Sequence, residues 1–81
     1  MPTPVIDLDE LTVAQCCDGL IDYRKLTMPE RDEVYERMTA RGYAIRQIAT
    51  RCHGSFHLVQ DAATRVRARD AAEGAADAVV A

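Results

Sequence analysis

Tryptophan is absent, phenylalanine occurs once and tyrosine three times in 81 residues, so Phe56, Tyr23, Tyr35 and Tyr43 are the whole aromatic stock. The rest of any core must come from Leu, Ile, Val, Met and Ala, which suits helices packed on helices and predicts an all-α fold. A chain of this length is one domain that buries a modest share of its unfolded surface. No apolar run approaches bilayer-spanning length. The start, Met-Pro-Thr-Pro-Val-Ile-Asp-Leu-Asp-Glu, lacks a basic stretch followed by an apolar one, so neither export nor membrane insertion is expected. There is no Gly-rich phosphate loop, and a small helical domain has little room for a catalytic pocket; an enzyme is not expected, and no cofactor is implied.

Cysteine is scarce as well. Cys16 and Cys17 are adjacent and Cys52 is distant, an odd count that makes no disulfide framework and fits a reducing cytoplasm. Cys52, His53 and His57 with Cys16 or Cys17 lack the paired spacing of a zinc site. Cys17 and Cys52 fall on apolar faces where cysteine acts as a small hydrophobe, so no metal is expected.

Lysine occurs once against nine arginines, which with thirteen alanines points to a GC-rich genome. The net charge of −3 hides a strong division. Residues 1–36 carry nine acids against Arg24, Lys25 and Arg31, leaving −6; residues 37–69 carry seven arginines against Asp61, leaving +6; residues 70–81 contribute −3. A basic segment lies between acidic ends.

Two prolines and three acids in the first ten residues favour an extended acidic arm over 1–11. Leu11, Ala14, Cys17, Leu20 and Ile21 follow a helical stripe. With Thr12 to Gln15 as a capping box they predict a first helix over 12–24, weakened at Gly19. Thr27-Met-Pro-Glu30 is a stronger start, opening a helix over 28–41 with Val34, Tyr35 and Met38 inward and Gly42 as a left-handed terminator. Ile45, Ile48, Ala49 and Cys52 mark a third helix of about two turns over 44–52. His53-Gly54 breaks it and Ser55 caps a fourth helix over 56–70, with Val59, Ala62, Ala63 and Val66 inward. The helical domain is thus 12–70, and the Ala-rich tail 71–81, with Gly74 as a breaker, either extends the last helix or frays.

Two helices joined by a Gly-containing turn, after a longer supporting helix, form the arrangement that places a second helix in the DNA major groove. Thr27-Met-Pro-Glu30-Arg31, Arg41-Gly42, Ile45-Arg-Gln-Ile-Ala-Thr-Arg51, Ser55 and Val59-Gln60 resemble the homeodomain-like and sigma-region-4-like helix-turn-helix families, including small regulators of actinobacterial phages. The resemblance covers roughly residues 27–66. It implies a four-helix domain with a helix-turn-helix core over 44–65 and an additional N-terminal helix. Such families usually place Gly where His53 stands and an aliphatic residue where Gly54 stands. Here either His53 takes the left-handed conformation or the glycine has slipped by one and reshaped the turn.

With Val59 inward, a step of about 100° per residue turns His57, Asp61, Thr64 and Ala68 outward, with Gln60 and Arg67 on one shoulder and Arg65 on the other. Ser55, Phe56, His57, Gln60, Asp61 and Thr64 are the candidate base contacts, and Arg46, Arg51, Arg65, Arg67 and Arg69 the candidate phosphate contacts. The expected partner is double-stranded DNA, read by a homodimer through the first helix or the tail. A rival reading takes the same scaffold as a module that binds a host or regulatory protein, or as a DNA mimic built on the acidic third.

Overall fold

In the computed structural model, residues 9–80 are described, with side-chain surroundings through residue 73. They form α1 (Glu10–Cys17), α2 (Met28–Ala40), α3 (Ile45–Arg51) and α4 (Phe56–Val80), with a short 3-10 turn at Tyr23–Lys25 and no strand among the described residues. The chain is an all-α, four-helix domain. Most of the arm expected over 1–11 lies outside the described residues, and its last two, Glu10 and Leu11, are helical.

Helix α1 starts earlier and stops sooner than its apolar spacing suggests. Asp9, rather than Thr12, is the cap: its Oδ1 accepts from Leu11 N at 3.1 Å and Thr12 N at 3.3 Å. A carboxylate at a helix start satisfies free donors and also meets the positive end of the helix dipole, an advantage a hydroxyl lacks. The inward face is Val13, Cys16 and Cys17; Leu11 and Ala14 lie on the exposed side, and Leu20, past the end of the helix, is exposed as well. The expected stripe is therefore corrected at three of its five positions. Glu30, itself buried, receives Asp9 N on Oε2 at 3.1 Å and Thr27 N on Oε1 at 2.9 Å, so one carboxylate joins the starts of α1 and α2.

The α2 start forms as its sequence dictates, with Thr27 and Glu30 capping each other and Pro29 in the first turn. Its inward face is Val34, Tyr35 and Met38. Helix α2 packs on α1 and on α4, and α3 packs chiefly on α4. Val34, Met38, Ile48, Ala49, Val59 and Ala62 meet in the common core. Each of the larger side chains among them contributes roughly 1.5–3 kcal/mol by leaving water.

Three helices end in the same hydrogen-bonded pattern. Leu20 N donates to Gln15 O and Gly19 N to Cys16 O after α1; Tyr43 N donates to Met38 O and Gly42 N to Thr39 O after α2. After α3, Gly54 N donates to Ala49 O at 2.9 Å and His53 N to Thr50 O at 3.4 Å. Each is a Schellman termination, which needs a left-handed residue just past the helix, and φ is +79° at Gly19, +94° at Gly42 and +55° at His53. Gly19 is thus the end of α1 rather than a weak point within it. His53 holds its less favourable conformation with help from its own ring, whose Nε2 lies 3.0 Å from Gly19 O.

Gly54 has a different reason to be glycine. Its φ is not positive, but a Cβ there would lie 2.7 Å from Tyr23 Cβ and 3.1 Å from Tyr23 Cγ. Tyr23 fills the space beside the turn and supplies the apolar anchor that an aliphatic turn residue would otherwise give. It is fully buried, its N donates to Cys52 O at 2.9 Å, and its hydroxyl donates to Arg31 O at 2.9 Å. Arg31 Nε returns a bond to Tyr23 O at 3.3 Å. Helix α4 then starts with Leu58 N on Ser55 Oγ at 3.2 Å and runs through Gly74 to Val80, well beyond the expected end near residue 70.

Replacing Gly54 by Ala is expected to cost about 2–3 kcal/mol through overpacking against the base of the Tyr23 side chain. Gly42→Ala meets open space and is expected to cost only the left-handed backbone penalty, about 1 kcal/mol. Urea denaturation measures both, and equal losses would contradict the close-approach role of Gly54. Burial, then the nearby Asp32 carboxylate, raises the Tyr23 pKa above its ordinary 10.0. The buried neutral phenol therefore contributes stability that is intact below pH 10.0 and is lost as pH rises through the folded-state value. Tyr23→Phe is expected to flatten the alkaline fall in stability relative to the parent chain.

Candidate nucleic-acid interface

Along α4 the buried side chains are Val59, Ala62, Ala63 and Val66, which leaves His57, Gln60, Asp61, Thr64, Arg67 and Ala68 exposed. The helix packs by the face its sequence predicts, and the polar residues share the opposite side. Thr64 Oγ1 donates to Gln60 O at 3.0 Å, leaving its oxygen lone pairs toward solvent. Ser55 is half-buried and its hydroxyl oxygen is engaged in capping. Phe56 is 40% exposed, with its ring edge-to-face on His57 at 6.2 Å and the Arg46 guanidinium 5.9 Å from its centroid.

The five arginines singled out by sequence divide into two groups. Arg65 makes a two-pronged pair with Asp32, with Nη2–Oδ1 at 2.7 Å and Nε–Oδ1 at 3.0 Å, and this contact raises its pKa. Arg69 pairs with Glu36 and, at 3.3 Å, with Asp70. Both lie on the α4 shoulder that faces α2, so the acids of α2 engage them rather than leaving them to solvent. Arg37 is held likewise, with Nη2 at 2.6 and 2.7 Å from the Glu10 oxygens and Nε at 2.9 Å from Glu33.

Arg46, Arg51 and Arg67 have no carboxylate partner among the described residues and are exposed. Arg51 Nε donates to Cys17 O at 3.1 Å and its guanidinium lies 5.5 Å from the Tyr43 centroid. Sequence spacing did not reveal these arginine–aromatic stacks. The polar residues at 46, 47, 50 and 51 do follow one face of α3, a signal present in the sequence spacing.

Comparison with protein-family models, curated proteins and solved structures yielded no match. Function must therefore be read from the geometry of this surface. The cysteine thiols take no part in it. All three are buried and free, and the Cys16 thiol pKa is driven up by its contact with Cys52 and by burial. Among the described residues, no three His, Cys, Asp or Glu side chains are placed to share a metal ion.

Because Arg65 holds α4 to α2, Arg65→Ala is expected to lower stability by about 1 kcal/mol, the upper end for a partly exposed pair. Arg67→Ala is expected to change stability by less than about 0.5 kcal/mol. Urea midpoints of the two variants test the division; a larger loss at Arg67 would overturn it.

Proposed function

We propose that the chain is a DNA-binding regulator of helix-turn-helix type that lays α4 in the major groove of duplex DNA, acting in transcription or phage development. One observation carries the reading: His57, Gln60, Asp61 and Thr64 share the solvent side of α4, and Arg46, Arg51 and Arg67 carry charge that no described carboxylate neutralises. In this reading Gln60 pairs with an adenine edge, Asp61 accepts from a cytosine amine, and the three arginines fix register on phosphates. Phe56 serves as a platform for Arg46 more than as a base contact. Arg65 and Arg69 act inside the protein, orienting α4 on α2.

A single unit of this size binds weakly, and a homodimer would supply two half-sites. The part of α4 beyond Val66, exposed from Arg67 to Glu73, is the surface available for that pairing.

A second reading, a module for a host or regulatory protein, is favoured by the other end of the molecule. Leu11, Leu20 and Met28 are 66%, 73% and 57% exposed within the acidic third. Large exposed apolar side chains on an acidic segment suit a protein partner with basic charge.

Binding to random and selected duplexes at two salt concentrations tests the DNA reading. Arg67→Ala is expected to weaken binding evenly across sequences and to reduce the salt slope by about 1, while Gln60→Ala costs about 1–3 kcal/mol on the preferred site only. Absence of salt-dependent binding at micromolar protein would sink the reading and leave the protein-partner alternative.

A further inference from the structure

The solvent face of α3 holds a groove that is separate from the polar side of α4. Tyr43, Arg46, Gln47, Thr50 and Arg51 line it, and it is a shallow, open depression of about 420 Å³. The charged and amide groups left free on these residues are donors. Gln47 Oε1 accepts from Ala44 N at 2.7 Å, which leaves its NH2 group unengaged. Thr50 donates its hydroxyl proton to Arg46 O at 3.0 Å, which leaves its oxygen as an acceptor among the donors. Arg51 spends Nε on Cys17 O, which leaves its terminal nitrogens. Every unengaged nitrogen is a donor, two of the five residues are cationic, and no carboxylate lines the groove.

Such a lining disfavours cations and rewards an anion with several acceptor oxygens. The walls between the donors are the Tyr43 ring and the aliphatic stems of the arginines and Gln47. A simple inorganic anion would leave that apolar surface unused, and a flat unsaturated ring would cover it. Tyr43 already takes a planar cation at stacking distance in Arg51, and Arg46 lies against Phe56 at the side of the groove.

We propose that this groove is a nucleotide site that holds one nucleoside phosphate unit, its base against the Tyr43–Arg51 platform and its phosphate within reach of Arg46. The chemistry is shared by a free nucleotide and by a nucleotide of a single strand, where bases stack on aromatic side chains beside a cationic track. The assignment does not depend on α4 reading duplex DNA. It concerns a different helix and a different ligand, although both ligands would draw on Arg46 and Arg51.

Backbone amide shifts of the labelled full chain, titrated in parallel with adenosine monophosphate, adenosine, inorganic phosphate and a short oligothymidylate, test the proposal. Saturable shifts centred on residues 43–51 are expected, with the monophosphate about tenfold tighter than adenosine or phosphate alone. Arg46→Gln, at an exposed position whose only described side-chain contact is with the half-exposed Phe56 ring, is expected to weaken binding about tenfold with little change in the circular dichroism melt. Tighter binding of the oligonucleotide than of the monophosphate identifies a strand as the source, and the reverse order identifies the free nucleotide. Shifts centred elsewhere, equal affinity for inorganic phosphate, or indifference to Arg46→Gln would overturn the site. Loss of duplex binding with nucleotide binding intact overturns only the duplex reading.

Discussion

Tyr23 reaches the α3–α4 turn only because Gly54 has no side chain, and the arrangement of the helices follows from that contact. The ring is fully buried, its backbone nitrogen is bonded to Cys52 O, and its hydroxyl is bonded to the first turns of α2 at Arg31 O. A residue from the α1–α2 connection thereby fixes the turn that sets the angle of α4. His53 adds a second tie, from the same turn back to Gly19 O at the end of α1. The N-terminal helix is therefore a brace for the turn rather than an appendage, which gives the acidic third of the chain a mechanical role whatever it contacts.

The charge pattern acquires meaning in the same way. The division into acidic, basic and acidic segments suggests a uniformly cationic middle, yet the fold sorts that middle residue by residue. Asp32 and Glu36 on α2 take Arg65 and Arg69 on α4, and Glu10 and Glu33 take Arg37. Among the described residues of that middle, Arg41, Arg46, Arg51 and Arg67 remain outside these pairs. The acids of the first third thus consume part of the positive charge to hold helices together, and what is left lies at the end of α2, on α3 and on the solvent side of α4. A net charge of −3 describes neither surface.

Features that depend on neighbours a few residues away were legible in the sequence. The Thr27–Glu30 cap, the left-handed Gly42, the Ser55 cap and the inward set Val59, Ala62, Ala63 and Val66 all form as local chemistry requires. Three things were not legible, for one physical reason. The register of α1 is set by Asp9, whose backbone nitrogen is held by Glu30 far along the chain. The need for glycine at 54 comes from Tyr23, and the fate of Arg65 comes from Asp32. Each is decided by a partner more than twenty residues distant, beyond what helical periodicity can report. Gly19 was the exception: it stood where a helix can end, yet the apolar spacing of Leu20 and Ile21 argued for continuation, and the terminator prevailed.

Helix α4 is continuous from Phe56 to Val80, and among the side chains described through residue 73 the last to face the core is Val66. At 1.5 Å per residue its two ends stand about 36 Å apart. It is a lever whose fulcrum is the bed formed by α2 and α3. From Val66 to Val80 the arm is about 21 Å, so a tilt of about 10° at that bed carries the far end through about 4 Å. Whatever settles against Phe56 and Gln60 is thus connected by a single rod to whatever the distal turns meet, and a small adjustment at the Tyr23–Gly54 seat arrives there magnified.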